Sequence, residues 1–172
     1  LIYANVAYVR GLDRFYPDFH SAGADSILLP DVPVRESQPF TEAATAAGVD
    51  PIYIAPAKAS RETLEGVAAN SRGYIYAISR DGVTGAEKEA TVDGLREVVD
   101  NINSFGGAPV LLGFGISRPE HVRDAIAAGA SGAITGSAIS NIIAKYTEHT
   151  HPNPGHVTDM AGLKAELSDY VR

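Results

Sequence analysis

The sequence contains no cysteine and no tryptophan among its 172 residues. Without cysteine the chain can form no disulfide, no thiolate nucleophile and no cysteine-ligated zinc or iron–sulfur site. Its 14 Lys and Arg residues are outnumbered by 21 Asp and Glu residues, and the net charge of −7 argues against binding to nucleic acid or an anionic membrane. No apolar run reaches the roughly 20 residues that a membrane helix needs. These absences predict a soluble, cytoplasmic protein.

Two kinds of segment alternate along the chain. Short apolar segments bounded by Gly, Pro or Asp are typical of buried parallel strands, and longer segments with helical spacing of apolar residues are typical of amphipathic helices. The predicted strands are Leu1–Asn5, Ser26–Pro30, Pro51–Ala55, Tyr74–Ile78, Val110–Gly113 and Ala133–Gly136. The predicted helices are Leu12–Ala22, Ser37–Ala47, Ser60–Asn70, Val92–Phe105, Pro119–Ala128, Ser137–Glu148 and Met160–Val171.

This α/β alternation fits either an open doubly wound sheet or part of a (β/α)₈ TIM barrel. No Gly-x-Gly-x-x-Gly motif follows the first predicted strand, which weakens the dinucleotide-binding alternative. Polar and glycine-rich segments follow the predicted strands, where a barrel carries its chemistry. A full barrel has about 250 residues, so we predict one TIM-barrel domain over residues 1–172, with six of the eight β/α units. The chain starts without Met inside a strand-like run, and we expect the remaining units to lie upstream of Leu1.

Two glycine-rich turns raise the possibility of an anion site. Gly113-Phe114-Gly115 follows the fifth predicted strand, and Gly136-Ser137 ends the sixth and opens a helix. Glycines let backbone N–H groups approach an anion, and a helix N-terminus adds unpaired donors and the positive end of a dipole. The residues support two interpretations. One is a phosphate cradle formed by the N–H groups of Gly115, Gly136 and Ser137, and the other is a pair of tight turns whose glycines serve geometry alone.

Other polar segments are also open to two interpretations. The loop that begins at Ser79 contains Gly82, Thr84 and Gly85, and it is either a closing lid or a solvated surface loop. Asp31 ends a strand, and it is either a catalytic or orienting acid or a turn residue that caps a helix.

Three histidines, His149, His151 and His156, lie in a Pro- and Gly-containing linker without a supporting acidic cluster. One loop rarely supplies a whole metal site, so the sequence predicts no metal.

Taken together, these motifs resemble the tryptophan synthase alpha chain family. The lid motif Arg80–Glu87 and the turn Gly113–Ser117 are the most specific of them, and the resemblance runs in family order from Leu1 to about Ile143. The matching segments are Tyr3–Asn5, Asp31–Pro33 with Glu36–Ser37, Pro51–Pro56, Arg72–Tyr76, Ser79–Ala86, Gly113–Ser117 and Gly132–Ile139.

The resemblance implies a (β/α)₈-barrel lyase of tryptophan biosynthesis that cleaves indole-3-glycerol phosphate to indole and glyceraldehyde 3-phosphate in a retro-aldol step. It implies no cofactor on this chain. The implied partner is a tryptophan synthase beta chain, which carries pyridoxal phosphate and receives the indole in an α₂β₂ complex.

The resemblance also implies a role for individual residues. The backbone N–H groups that would hold the substrate phosphate belong to Gly85, Gly115, Gly136 and Ser137. The side chains that would line the indole pocket are Leu1, Leu28, Ile54, Tyr76 and Phe114. Thr84 would lie on the closing lid and help to position a catalytic acid, and Asn5 and Asp31 would lie at the face that signals to the beta chain.

The sequence departs from the family in one large respect. The family's catalytic Glu and Asp lie on the second barrel strand and the loop after it, and no segment here matches that region, so we assign no catalytic acid or base to this chain. Asp31 does not fill the gap. We expect the isolated chain to be inactive, and unstable or associated, because a partial barrel exposes unpaired strand edges. Three alternatives stay open: a free-standing indole-3-glycerol phosphate lyase, another phosphate-binding barrel, and a non-catalytic binding fragment.

Overall fold

The computed structural model describes residues 1–78, 92–113, 115–148 and 155–172. The helices in these residues are α1 (Ala4–Arg10), α2 (Leu12–Ser21), α3 (Gln38–Ala46), α4 (Arg61–Asn70), α5 (Val92–Ser104), α6 (Pro119–Ala127), α7 (Ser137–Lys145) and α8 (Met160–Tyr170), with a 3₁₀ turn at Val34–Glu36. The strands are β1 (Ser26–Leu28), β2 (Asp50–Ile52), β3 (Ile54–Ala55), β4 (Ile75–Ala77), β5 (Val110–Leu112) and β6 (Gly132–Ala133).

The strands pair in parallel and in chain order. β1 pairs with β2, and β3, β4, β5 and β6 form a four-stranded sheet. Only Tyr53 separates β2 from β3, so these two strands are consecutive parts of one extended segment. β2 pairs with β1 and β3 pairs with β4, as expected where tilted strands are staggered around a barrel wall. This order confirms the five predicted strands after the first one, each within two residues at its start and three at its end.

The predicted strand Leu1–Asn5 is wrong, because the chain enters helix α1 at Ala4. The carboxylate of Asp31 accepts hydrogen bonds from the Ala4 N–H, with N···O distances of 3.0 and 3.2 Å, and this fixes the first turn of the helix. The Ile2 N–H still donates to the Leu28 carbonyl at 3.1 Å, so residues 1–3 lie beside β1 without forming a strand.

The side chains of the strands alternate between two faces. Those of one face pack against the helices in a single core, which contains Ile27, Leu29, Tyr53, Ala55, Ile75, Ala77, Val110 and Leu112. The alternate positions, among them Leu28 and Tyr76, face a cavity on the other side of the wall.

The helices form the outer layer, and all seven predicted helices are confirmed to within three residues at each end. In α5 the apolar residues that recur at helical spacing, Leu95, Val98, Val99 and Ile102, are buried. Two helices carry their own N-terminal caps, since the Ser60 Oγ accepts the Thr63 N–H at 3.2 Å and the Asp159 carboxylate accepts the Gly162 N–H at 2.9 Å. No helix in the described residues is long and apolar enough to span a membrane.

Candidate active site

A cavity of about 380 Å³ opens on the inner face of the strands, at their carboxyl ends. In barrels this is the end where the loops carry the chemistry. Its lining consists of Leu1, Leu28, Tyr74, Tyr76, Gly113, Gly115, Ile116, Ile134, Gly136 and Ser137. Six of these were predicted as site residues from the sequence, namely Leu1, Leu28, Tyr76, Gly115, Gly136 and Ser137. The structure therefore brings three of the four predicted phosphate-binding residues and three of the five predicted ring-binding residues to one cavity, and their roles stay predictions.

Two glycine turns contribute to the lining of the cavity. Gly115 has a φ of +77°, a backbone conformation that residues with a Cβ rarely adopt. Gly136 is the residue before α7, with a φ of −130°, and no side chain caps this helix. The first N–H groups of a helix have no partner within it, so the start of α7 presents unpaired donors beside the cavity. No acidic residue lies in its first turn to repel an anion.

The lining of the cavity also includes aromatic and aliphatic side chains. The Tyr76 hydroxyl donates a hydrogen bond to the Gly113 carbonyl, which ties β4 to the turn after β5. Burial raises the pKa of Tyr76 above its ordinary value, and the neighbouring Tyr74 adds to this rise. Burial likewise raises the pKa of Tyr74. Both phenols are therefore protonated at neutral pH, and neither acts as a base there.

The remaining predicted site residues either do not line this cavity or lie outside the described residues. Ile54 is not among the residues that line this cavity. Thr84, Gly85 and Phe114 lie outside the described residues. Asn5 and Asp31 are both exposed, and neither is among the residues that line the cavity. The Asp31 carboxylate accepts the Ala4 N–H at the start of α1. Asp31 thus caps a helix, the second of the two interpretations that the sequence left open for it.

The sequence interpretation missed four lining residues: Tyr74, Gly113, Ile116 and Ile134. Three of them lie two positions before a predicted site residue, since Tyr74 precedes Tyr76, Gly113 precedes Gly115 and Ile134 precedes Gly136. Residues two apart in an extended strand face the same side of the sheet. Tyr74 directly precedes β4, which contains Tyr76, so the alternation held a signal that could have identified Tyr74.

Metal ligands and carboxylates are absent from the site as far as the structure describes it. Within residues 1–78, 92–113, 115–148 and 155–172, no three His, Cys, Asp or Glu side chains gather as a metal site would require. His149 and His151 lie outside these ranges. No Asp or Glu is among the described residues that line the cavity.

Replacing Asp31 with alanine should loosen the start of α1. The Ala4 N–H would lose both carboxylate acceptors, and the loss of an N-terminal cap costs about 0.5–2 kcal/mol. We expect a lower free energy of unfolding in urea and faster hydrogen exchange at the Ala4 amide. Asp31→Asn keeps one acceptor oxygen and should show a smaller change. Unaltered exchange at Ala4 in Asp31→Ala would contradict this assignment.

Comparison with known proteins supports the resemblance. A sequence profile of the family described as tryptophan synthase alpha chain matches residues 1–170. The tryptophan synthase alpha chain of Corynebacterium glutamicum is 70% identical over 171 residues, which are 99% of this chain and 61% of the relative. That of Corynebacterium diphtheriae is 64% identical over 172 residues, covering 100% of this chain and 62% of the relative.

A solved structure matches the fold. The tryptophan synthase α₂β₂ complex from Pyrococcus furiosus contains a chain that superposes with a TM-score of 0.80 at 27% identity, over 98% of this chain and 62% of that one. This likeness confirms the predicted partial (β/α)₈ barrel. The chain spans about three fifths of the length of the curated relatives that it matches. On the profile match and these identities, the chain belongs to the tryptophan synthase alpha chain family.

Proposed function

We propose that the chain is the substrate-holding part of a tryptophan synthase alpha subunit, a lyase that cleaves indole-3-glycerol phosphate to indole and glyceraldehyde 3-phosphate. One observation carries the proposal. A single cavity is lined both by two glycine turns, one of which opens α7 with its unpaired N–H groups, and by the side chains of Leu28 and Tyr76. That combination matches a ligand with an anionic end and a flat apolar end.

The phosphate end rests on the cradle of Gly115, Gly136 and Ser137. Backbone N–H groups at a helix start bind anions because they lack partners and lie at the positive end of the helix dipole. Hydrogen bonds from such donors to an ionised acceptor are about twice as strong as neutral ones. An ideal Cβ built on Gly136 meets no atom within 4 Å, so the space next to its backbone is open to a ligand.

The indole ring would contact Leu1, Leu28, Tyr74, Tyr76 and Ile134, and we call these residues the ring end of the cavity. A cavity of 380 Å³ lies within the range of about 300–1,000 Å³ that is usual for small-molecule sites. Apolar side chains and the rings of two tyrosines suit an indole, because they can contact the two faces of its ring. The indole N–H and C3 would then be left to polar groups other than these.

The chemistry needs more than these residues provide. Retro-aldol cleavage requires a proton delivered to indole C3 and a proton removed from a glycerol hydroxyl, which is general acid–base catalysis. The Tyr76 hydroxyl donates a hydrogen bond to the Gly113 carbonyl and stays protonated because its pKa is raised. Tyr76 therefore does not serve as the base. The described lining contains no carboxylate. In this proposal the chain's own residues bind and orient the substrate. The lack of a carboxylate in the described lining also favours a second candidate function, ligand binding without turnover.

We also propose that the chain assembles with a tryptophan synthase beta chain, as the Pyrococcus furiosus protein does in its α₂β₂ complex. The exposed pair Asn5 and Asp31 is our candidate for the signalling contact. The proposed chain has no cofactor of its own, and pyridoxal phosphate belongs to the partner. The acidic, cysteine-free composition fits an enzyme of the cytoplasm.

Gly136→Ala tests the phosphate cradle. Because a Cβ at this position meets no protein atom, we expect little change in the free energy of unfolding. A bound phosphate would meet the added methyl group. Losing one charged hydrogen bond costs about 1.5–3 kcal/mol, which corresponds to binding of glycerol 3-phosphate weakened about 10- to 100-fold in isothermal titration calorimetry.

Gly66→Ala is the matched control for this experiment. Gly66 lies inside α4, remote from the cavity lining, and its added Cβ would lie 3.5 Å from Val34, which is an ordinary contact. This change should stabilise the helix by about 0.5–1 kcal/mol and leave phosphate binding unaltered. If Gly136→Ala binds glycerol 3-phosphate as tightly as Gly66→Ala does, the cradle is not at Gly136.

A further inference from the structure

We propose that Thr135 and Tyr170 form a positioning relay that holds the two turns of the phosphate cradle at a fixed separation. The inference rests on the proposed phosphate site and adds residues that neither touch the ligand nor line the cavity. Thr135 lies between β6 and α7, directly before Gly136. Tyr170 is the last residue of α8 and is 35 positions away in the sequence.

One hydroxyl group connects the two turns. The Thr135 Oγ1 donates to the Ile116 carbonyl at 3.0 Å, and it lies 2.7 Å from the Tyr170 hydroxyl. Ile116 directly follows Gly115, the glycine of the first turn. The Thr135 side chain therefore joins the turn after β5 to the turn that opens α7.

The direction of these hydrogen bonds follows from proton counting. A carbonyl oxygen only accepts, so the single hydroxyl proton of Thr135 is used in the bond to Ile116. The Tyr170 hydroxyl must then be the donor in the 2.7 Å contact. The relay runs from the Tyr170 O–H to the Thr135 Oγ1, and from the Thr135 O–H to the Ile116 carbonyl.

The sheet itself does not hold the two turns together. The β5–β6 pairing ends with the bond from the Ile134 N–H to the Leu112 carbonyl at 2.8 Å. Beyond that bond, no backbone hydrogen bond links residues 115–117 to residues 135–137 in the described part of the chain. A cradle made from two separate turns binds a phosphate well only when its donors are held in place before binding. Thr135 is the described side chain that provides this link.

Helix α8 supports the relay from the far side of the cradle. The Lys145 Nζ lies 2.5 Å from the Glu166 carboxylate, and the Tyr146 hydroxyl donates to the same carboxylate at 2.8 Å. These contacts fix α8 to the C-terminal end of α7, whereas Tyr170 reaches Thr135 just before the N-terminal end of α7. Two contacts at opposite ends limit how far α7, which supplies the Ser137 N–H, can shift against Gly115.

Three variants of the full 172-residue chain test the relay. Thr135→Val removes the hydroxyl at nearly constant volume, Thr135→Ser keeps the hydroxyl, and Tyr170→Phe removes only the outer donor. We expect Thr135→Val to bind glycerol 3-phosphate about three- to tenfold more weakly, from the loss of one neutral hydrogen bond. Thr135→Ser should bind as the unaltered chain does, and Tyr170→Phe should show a loss of about twofold or more, below that of Thr135→Val.

Indole is the probe that separates positioning from damage to the fold. The relay contacts the phosphate turns and not the ring end, so indole binding should be unchanged in all three variants. Equal loss of indole and glycerol 3-phosphate binding in Thr135→Val would overturn the relay in favour of a general structural role. If Thr135→Val does not fold, Tyr170→Phe decides, and unaltered glycerol 3-phosphate binding there overturns the relay.

The result for the unaltered chain distinguishes this inference from the proposed function. If the unaltered chain binds no glycerol 3-phosphate, the phosphate site and the relay both fail. If it binds glycerol 3-phosphate and Thr135→Val binds it equally well, only the relay fails.

Discussion

Gly113→Ala is expected to destroy the ring end of the cavity. An ideal Cβ at Gly113 would overlap the ring of Tyr76, which also donates its hydroxyl to the Gly113 carbonyl. The ring cannot stay in place, because the added carbon would occupy the position of its atoms. Overpacking of this kind costs about 1–3 kcal/mol, and a displaced Tyr76 would lose its hydrogen bond and fill the cavity that it now borders. We expect a lower urea midpoint of unfolding and loss of measurable indole binding.

A double-mutant cycle identifies the cause of this loss. Tyr76→Leu removes the overlapping ring atoms, so Gly113→Ala should cost much less in that background than in the unaltered chain. Residues in direct contact show coupling free energies of about 0.5–3 kcal/mol. Tyr76→Phe is the matched control, because it keeps the ring, removes the hydroxyl and should leave Gly113→Ala just as damaging. Strictly additive free energies for Gly113→Ala and Tyr76→Leu would show that the two positions do not interfere.

The overlap at Gly113 also shows what sequence could and could not predict about the site. The motif Gly113-Phe114-Gly115 marked a turn that needs glycine, and the left-handed φ of +77° at Gly115 agrees with that prediction. The reason for glycine at Gly113 is a tyrosine on a neighbouring strand, 37 residues earlier in the chain. No local pattern in the sequence encodes that proximity. The same holds for Thr135 and Tyr170, whose contact depends on how α8 packs against α7.

Some features of the fold likewise follow from local sequence, and others depend on contacts between distant residues. Helix positions followed from apolar spacing, since α5 buries the stripe from Leu95 to Ile102 that its periodicity indicated. The error at Leu1–Asn5 arose because a short apolar run does not distinguish a strand from a helix. The deciding interaction is the Asp31 carboxylate on the Ala4 N–H, which joins residues 27 positions apart. The sequence left open whether Asp31 caps a helix, and it did not indicate which helix.

The second large effect concerns catalysis, because the described cavity lining contains no carboxylate. We expect the 172-residue chain to bind glycerol 3-phosphate and indole but to release indole from indole-3-glycerol phosphate very slowly. A positioned acid or base contributes about 10²–10⁴-fold to a rate. In single-turnover assays, the chain should therefore be slower by at least about 10²–10⁴-fold than the alpha chain of Corynebacterium glutamicum, which is 70% identical to it.

Binding and turnover measured on the same preparation separate the two candidate functions. Ligand binding with no indole release, unchanged when a beta chain is added, would support a binding role for this chain. Gly136→Ala should abolish or weaken the binding and thereby show that the cavity is the site measured. Indole release at the rate of the Corynebacterium glutamicum protein would contradict the prediction. A carboxylate would then have to reach the substrate from outside the described residues, and Asp81 and Glu87 in the segment 79–91 would be the first positions to substitute.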